Sequence, residues 1–283
     1  MSNYIDFHLH STASDGSDTI PELLEKVQQA NVHTFSVTDH DTMEGALEMD
    51  ELVPDTLHYI RGIEFSCITP HQKCHILGYN FNPKNSSFLD ALELGIKLRQ
   101  EKLHRRIAFF KEQFSFELTK EESDWLFSIK SPGKPHFGKL FVDRGLAPDI
   151  RTAIEQYVKK CPDGNDRIDA SIAIQAILHA GGVPVWAHPL GGEGEKRLTR
   201  EEFHVQLEAL IASGIKGMEC YYSRYEQDDI AFLVQQANAN HLLISGGSDY
   251  HGKNKPNLHI GKLNAEDMDV DKDALTLYNY LSK

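Results

Sequence analysis

The four cysteines (Cys67, Cys74, Cys161 and Cys220) include no C-x-x-C pair, so neither a zinc knuckle nor a disulfide framework is suggested, and a reducing compartment fits. No apolar run approaches the ~18 residues of a membrane span, and the chain passes from Met1 into a strand without the charged and apolar stretches of a leader. A soluble, cytoplasmic chain with no membrane partner is the expectation. Positive charge is also short. With 29 Lys and Arg against 42 Asp and Glu, the formal net charge of −13 argues against a broad footprint for duplex nucleic acid. A nucleotide is still compatible, because carboxylates gathered as metal ligands count toward that total while the loaded site is positive toward phosphate. Internal repeats and low-complexity tracts are absent too. What is there is 40% apolar content over 283 residues, enough for one large core or a core with an insertion.

The chain is organised around Asp6-Phe7-His8-Leu9-His10. In an extended strand Asp6, His8 and His10 share one face while Phe7 and Leu9 share the other, so one face binds and the other packs. Imidazole ligates divalent metals through a neutral ring nitrogen, and a nearby carboxylate orients the ring or joins the shell. Further strands are expected at 33–38, 57–65, 73–79, 183–188, 216–222 and 242–246, with helices between most of them. This alternation predicts parallel pairing and a distorted, TIM-like (β/α)7 barrel from residues 1–82 and 167–265. Between them, 83–166 reads as a helical insertion covering the site, led by a long amphipathic helix through Phe88, Leu92, Ile96, Leu103, Ile107 and Phe110. Its apolar stripe needs a partner, which argues against an independent domain. Residues 266–283 form a C-terminal tail.

Catalytic groups of β/α barrels sit at the C-terminal ends of strands. Here those ends offer His8 and His10, His40, Glu64, His75, His188, then Asp249 and His251, with Asp15 in the first loop and His136 inside the insertion. His33, His58, His179, His204 and His241 fall elsewhere and read as ordinary residues. Asp39 and Asp41 flank His40 as candidate orienters. Gly191-Gly192-x-Gly194 lacks the strand-to-helix context of a nucleotide-binding loop and reads as a plain loop.

Asp6-x-His8-x-His10, Ser14-Asp15-Gly16, Thr38-Asp39-His40-Asp41, Gly62-Ile63-Glu64, His75-Ile76-Leu77-Gly78-Tyr79, Pro135-His136, Ala187-His188-Pro189 and Gly247-Ser248-Asp249-Tyr250-His251-Gly252 resemble, in order, the polymerase-and-histidinol-phosphatase (PHP) family. The resemblance implies a phosphoesterase with three divalent metal ions. It places His8, His10, Glu64 and Asp249 on one ion, Glu64, His75 and His136 on a second, and Asp15, His40 and His251 on a third. Such mixed donors suit manganese, iron or zinc. Within the family the chain resembles the branch that hydrolyses adenosine monophosphate, 3′,5′-nucleotide bisphosphates or RNA from its 5′ end. That branch usually carries Arg-Pro-His where this chain has Lys134-Pro135-His136, and Arg is the better bidentate phosphate clamp.

The expected activity is hydrolysis of a nucleotide phosphate by a metal-activated hydroxide, with Lys134 and His188 as catalytic and substrate-binding groups. Arg99 and Arg106 of the long helix are candidate phosphate contacts. Alternatives are a 5′-3′ exoribonuclease on short single-stranded RNA, a histidinol-phosphate phosphatase, or a non-catalytic metal-filled module. An acidic chain with a helical cover favours a small enclosed substrate over a long polyanion.

Overall fold

The computed structural model describes residues 4–193 and 195–282, so Gly194 of the glycine-rich loop lies outside the described residues. The chain opens with β1 (Tyr4–Leu9), α1 (Ile20–Gln29), β2 (Val32–Val37) and α2 (Glu44–Leu52). Helix α1 starts where the sequence asks for it: Thr19 and Glu22 form a capping box and Pro21 occupies the first turn. The single strand expected at 57–65 is instead two, β3 (His58–Tyr59) and β4 (Gly62–Ile68), which belong to different sheets. Next comes β5 (Lys73–Tyr79), as expected in place but not in direction.

Strand β5 runs antiparallel to β4, pairing Gly62 with Tyr79 and Ile68 with Lys73. The physical reason is the short connection between Ile68 and Lys73, because a parallel return needs a crossover of about a dozen residues. The remaining strands are β6 (Ile168–Asp169), β7 (Val183–Trp186), β8 (Gly217–Tyr222) and β9 (Leu243–Gly247). Two sheets result: a parallel one in the order β1-β2-β3 and a mixed one in the order β6-β4-β5-β7-β8-β9.

Their edges meet at two single bridges, Leu9 with Tyr250 and His40 with Glu64. The α/β class is therefore as expected, whereas among the described residues the ladders do not close into the seven-stranded barrel. Both bridges lie beside candidate ligands. His10 N donates to Tyr250 O at 2.9 Å, and Asp41 N donates to Glu64 O at 3.0 Å. The seams between the sheets thus bring ligands from β1, β2, β4 and β9 to one place.

The insertion comprises α3 (Ser86–Phe114), α4 (Lys120–Ser128), α5 (Lys134–Asp143) and α6 (Ile150–Gln156). Asn85 caps α3 by accepting from Phe88 N at 3.1 Å. The front of α3 packs Phe88, Ala91 and Leu92 into the main core. Its rear packs Leu103 and Phe110 against Phe116, Leu126, Phe137 and Phe141 in a separate core. The insertion's apolar stripe thus finds much of its partner within the insertion. Helices α7 (Ala170–His179), α8 (Arg200–Ala212) and α9 (Gln227–Ala239) complete the alternation. The expected tail carries α10 (Thr276–Leu281), with Leu275 and Leu277 buried in the main core and Thr276 Oγ1 accepting from Ile244 N at 2.8 Å. Among the described residues no helix is long and apolar enough to cross a membrane.

Candidate metal centre

Glu64, fully buried on β4, is the hub. Its Oε2 lies 3.3 Å from His8 Nε2, 3.3 Å from His10 Nε2 and 2.9 Å from His40 Nδ1. Its Oε1 lies 3.1 Å from His75 Nδ1 and 3.2 Å from His188 Nε2, and those two nitrogens are 3.3 Å apart. Asp249 Oδ1 stands 3.6 Å from His8 Nε2 and 3.5 Å from His10 Nε2. On the other flank Asp15 Oδ1 is 3.2 Å from His251 Nε2 and 3.9 Å from His40 Nε2.

Proximity alone does not make a ligand set, and the hydrogen bonding is the sharper test. His8 Nε2, His10 Nε2, Asp15 Oδ1, His40 Nδ1 and Glu64 Oε2 are buried without a hydrogen-bond partner. Orphaned buried polar atoms are rare and costly, so five that converge need a common partner. Donor atoms ~2.1 Å from one ion lie roughly 3–4 Å from each other, which is the spacing seen. Among the described residues three groups bring their donor atoms this close together: His10, Asp15, His40 and His251; His8, His10 and Asp249; and His40, Glu64 and His75. The residues fit divalent ions.

Supporting contacts fix these rings. Asp39 accepts from Ser11 N at 2.8 Å and from Ser14 Oγ, holding the loop that carries Asp15. Asp249 Oδ2 accepts from Tyr222 OH at 3.0 Å and from Lys255 Nζ at 2.7 Å, leaving Oδ1 for the centre. Asp6 is an anchor: Oδ1 accepts from Ser248 N and Oδ2 from Gly261 N, and burial raises its pKa to about 6. Burial lowers the His75 pKa to about 4, keeping its ring in the neutral, ligating form. Against the cost of burial, Glu195 and Glu64 raise that of His188 to about 10, so ligation by this ring displaces a proton. His188, Asp249 and Asp41 all adopt positive φ (28°, 56° and 49°), backbone strain gathered at the site.

The structure separates other expected residues. His136, on α5, joins none of the donor groups among the described residues, and its Nδ1 accepts from Gly133 N at 2.9 Å. It sits at the rim nonetheless, since a Cβ on Gly133 would meet Asp15 Oδ2 at 2.6 Å. Arg99 is committed elsewhere: it grips Asp41 through Nε at 2.9 Å and through Nη2, and Nη2 also donates to Ser66 Oγ at 2.7 Å.

Over the donors opens a cavity of about 830 Å³, within the range of small-molecule sites. Lys102, Arg106, Lys134 and Arg167 line it. Burial and the nearby Arg106 lower the Lys134 pKa to about 8, although the residue as a whole is exposed and lines the cavity. Arg106 is only 7% exposed and lies over the Phe137 ring, with no carboxylate paired to it among the described residues. An acidic chain has thus concentrated cations on one wall. The sequence reading missed Arg167 and Glu219. The first follows the expected insertion directly, at the start of a strand; the second is a lone carboxylate in the apolar run Gly217-Met218-Glu219-Cys220 and was the better signal.

What fold and site define together is a hydrolytic centre of the metal-dependent phosphoesterase class. A PHP domain model matches residues 6–169, more than half of the chain, and the chain belongs to that family. It is 27% identical over 258 residues to the 5′-3′ exoribonuclease Rnm of Escherichia coli, covering 87% of this chain and 84% of that one. It is 24% identical over 261 residues to the 3′,5′-nucleoside bisphosphate phosphatase of Chromobacterium violaceum, covering 91% and 90%. A crystal structure from Bifidobacterium adolescentis, provisionally described as a metal-dependent phosphoesterase, superposes with a TM-score of 0.81 at 24% identity over 96% of this chain and 98% of that one. That likeness supports the fold.

Proposed function

We propose that this chain hydrolyses the phosphomonoester of a nucleotide, with 3′,5′-bisphosphates and adenosine monophosphate as its substrates. The observation that carries the reading is one cavity with a floor of orphaned ligand atoms around Glu64, lined also by Arg106, Lys134 and Arg167, none of which pairs with a carboxylate among the described residues. His8, His10, Asp249 and Glu64 would hold one ion, and Asp15, His40 and His251 another. Glu64 and His75 would share a third with His188, which takes the place expected for His136, because its Nε2 faces both of the other donors. Glu195 Oε2, 3.3 Å from His188 Nδ1, orients that ring from behind. When bound, such ions supply Lewis acidity toward the phosphoryl oxygens and a water of lowered pKa; manganese, iron or zinc suits the donors.

The protein's own contribution is binding and orientation. Lys134 and Arg106 neutralise phosphoryl oxygens, the former from the first turn of α5, where the helix N-terminus also favours an anion. Arg167, which lines the same cavity without a carboxylate partner among the described residues, would meet a second phosphate on the same ligand, the feature that separates a bisphosphate from a simple monoester; Lys102 is nearer to Asp166, at 3.8 Å. Arg99 is removed from this role by its grip on Asp41. A second reading, trimming of short 5′-phosphorylated RNA, draws on Lys253 at the cavity mouth, whereas Lys159 and Arg224, which also line it, are paired with Glu155 and Glu193.

The deciding experiment is a phosphate-release screen with manganese across mononucleotides, bisphosphates, histidinol phosphate and 5′-phosphorylated oligonucleotides, each with and without chelator. Bisphosphates or adenosine monophosphate should lead, and chelation should abolish turnover. Undiminished turnover in metal-stripped protein, or a clear preference for histidinol phosphate, overturns the proposal.

A further inference from the structure

We propose that Glu219 is a positioning residue that couples two of the donor groups, holding His8 in one and His188 in the other; this rests on the metal reading above. Glu219 lies on β8, fully buried. Its Oε1 is 2.9 Å from His8 Nδ1, and its Oε2 accepts from His188 N at 2.7 Å. Each oxygen serves a different ligand. No Lys or Arg pairs with this carboxylate among the described residues, so its burial is compensated by these two contacts.

The first contact selects a tautomer. With Nδ1–H of His8 donating to Glu219 Oε1, the ring's lone pair sits on Nε2, the atom that faces Glu64 and Asp249 without a hydrogen-bond partner. The second contact restrains a strained residue, because His188 has φ 28° and its ring lies where Glu64 and His75 converge. The surrounding backbone is shaped to allow this. A register shift between Glu219 and Tyr221 leaves an extra residue in β8 where it pairs with β9, the mark of a bulge that re-aims a side chain. Across from it, a Cβ on Gly247 would stand 2.2 Å from His8 Cβ and 2.9 Å from Glu219 Oε1, so only glycine leaves room for the pair.

The consequence is a linkage between ions that share no first contact with Glu219. In Glu219→Gln the amide nitrogen must face either His8 Nδ1 or His188 N–H, and one of the two contacts is lost or the tautomer reversed. Metal-stripped wild type, Glu219→Gln and His8→Ala would be titrated with Mn²⁺ by calorimetry, with bound metal counted by elemental analysis and each stripped protein melted by circular dichroism. Glu219→Gln should bind at least two ions about tenfold to a hundredfold more weakly while melting, stripped, close to wild type. His8→Ala should weaken fewer ions. Wild-type Mn²⁺ affinities in Glu219→Gln overturn the inference and leave the metal reading intact, whereas a wild type that takes up no Mn²⁺ overturns both. Should Glu219→Gln fail to fold, Glu219→Asp keeps the charge but shortens the reach. Wild-type affinities in that variant also sink the proposal.

Discussion

Replacing Arg106 with methionine should make the protein more stable and a worse enzyme. Arg106 is almost fully buried, and burial together with Arg99 and Arg105 lowers its pKa to about 10, well below a free guanidinium. At neutral pH it stays protonated, so the folded state carries that penalty in full, relieved only as pH rises above about 10. The difference corresponds to roughly 3 kcal/mol of destabilisation. The contact with Phe137, 5.4 Å from the guanidinium carbon to the ring centroid, returns about 1 kcal/mol. Methionine fills similar space without charge, so a net gain of about 2 kcal/mol is expected, or roughly 3 °C in a chain of this size. Charge-assisted hydrogen bonds to phosphate are worth roughly 1.5–3 kcal/mol, so kcat/KM for a bisphosphate should fall about tenfold to a hundredfold. Melting curves must be run without phosphate, which would stabilise the wild type by binding. An Arg106→Met protein that melts lower and turns over a bisphosphate at the wild-type rate refutes the reasoning.

Lys134 should impose an alkaline limit: its pKa of about 8 means the ammonium is lost as pH rises, and kcat/KM should drop about tenfold per pH unit beyond it. Lys134→Arg should carry activity to higher pH, and Lys134→Ala should be weak throughout; identical profiles for wild type and Lys134→Arg would remove Lys134 from substrate binding. His188→Ala should lower bound manganese, measured by elemental analysis, whereas His136→Ala should retain it; the reverse result restores His136 as the ligand. RNA longer than about five nucleotides should give lower kcat/KM than a 3′,5′-bisphosphate. A ten-nucleotide 5′-phosphorylated RNA as the best substrate would transfer the chain to the exoribonuclease reading.

Most of the donors that the structure gathers stood out because they are chemically distinctive residues at the ends of apolar runs, and such runs mark strands whatever their partners; Asp15, in a loop, is the exception. Direction was harder to read, since the apolar pattern of β5 is the same whether it runs parallel or antiparallel; only the brevity of the connection at 69–72 carried that information. The sequence reading set His136 on the second ion and His188 against the substrate; nothing in either motif says which ring reaches Glu64 Oε1, and it is His188 Nε2 that lies 3.2 Å from that oxygen. Arg99 looked like a free cation on a helix, and its commitment depends on Asp41, 58 positions away in the chain. Glu219 stood out only as a lone carboxylate in an apolar run, and its partners lie 31 and 211 positions away. A buried carboxylate betrays its role only when the two groups it accepts from are seen together.

Helix α3 has a mechanical consequence. At 29 residues it is about 43 Å long, embedded by its front in one core and by its rear in another. Arg99 lies between the two and clamps the helix to Asp41, beside His40, while its Nη1 reaches Pro132 O at 3.5 Å just before Lys134. Arg99 thus pins the helix between its two cores. Lys102 and Arg106 lie beyond that pin, so a volume change in the remote core, such as Phe141→Leu, is expected to shift the cations relative to the ligand floor without touching either. Substrate preference in this architecture can drift through substitutions that no inspection of the cavity would reveal.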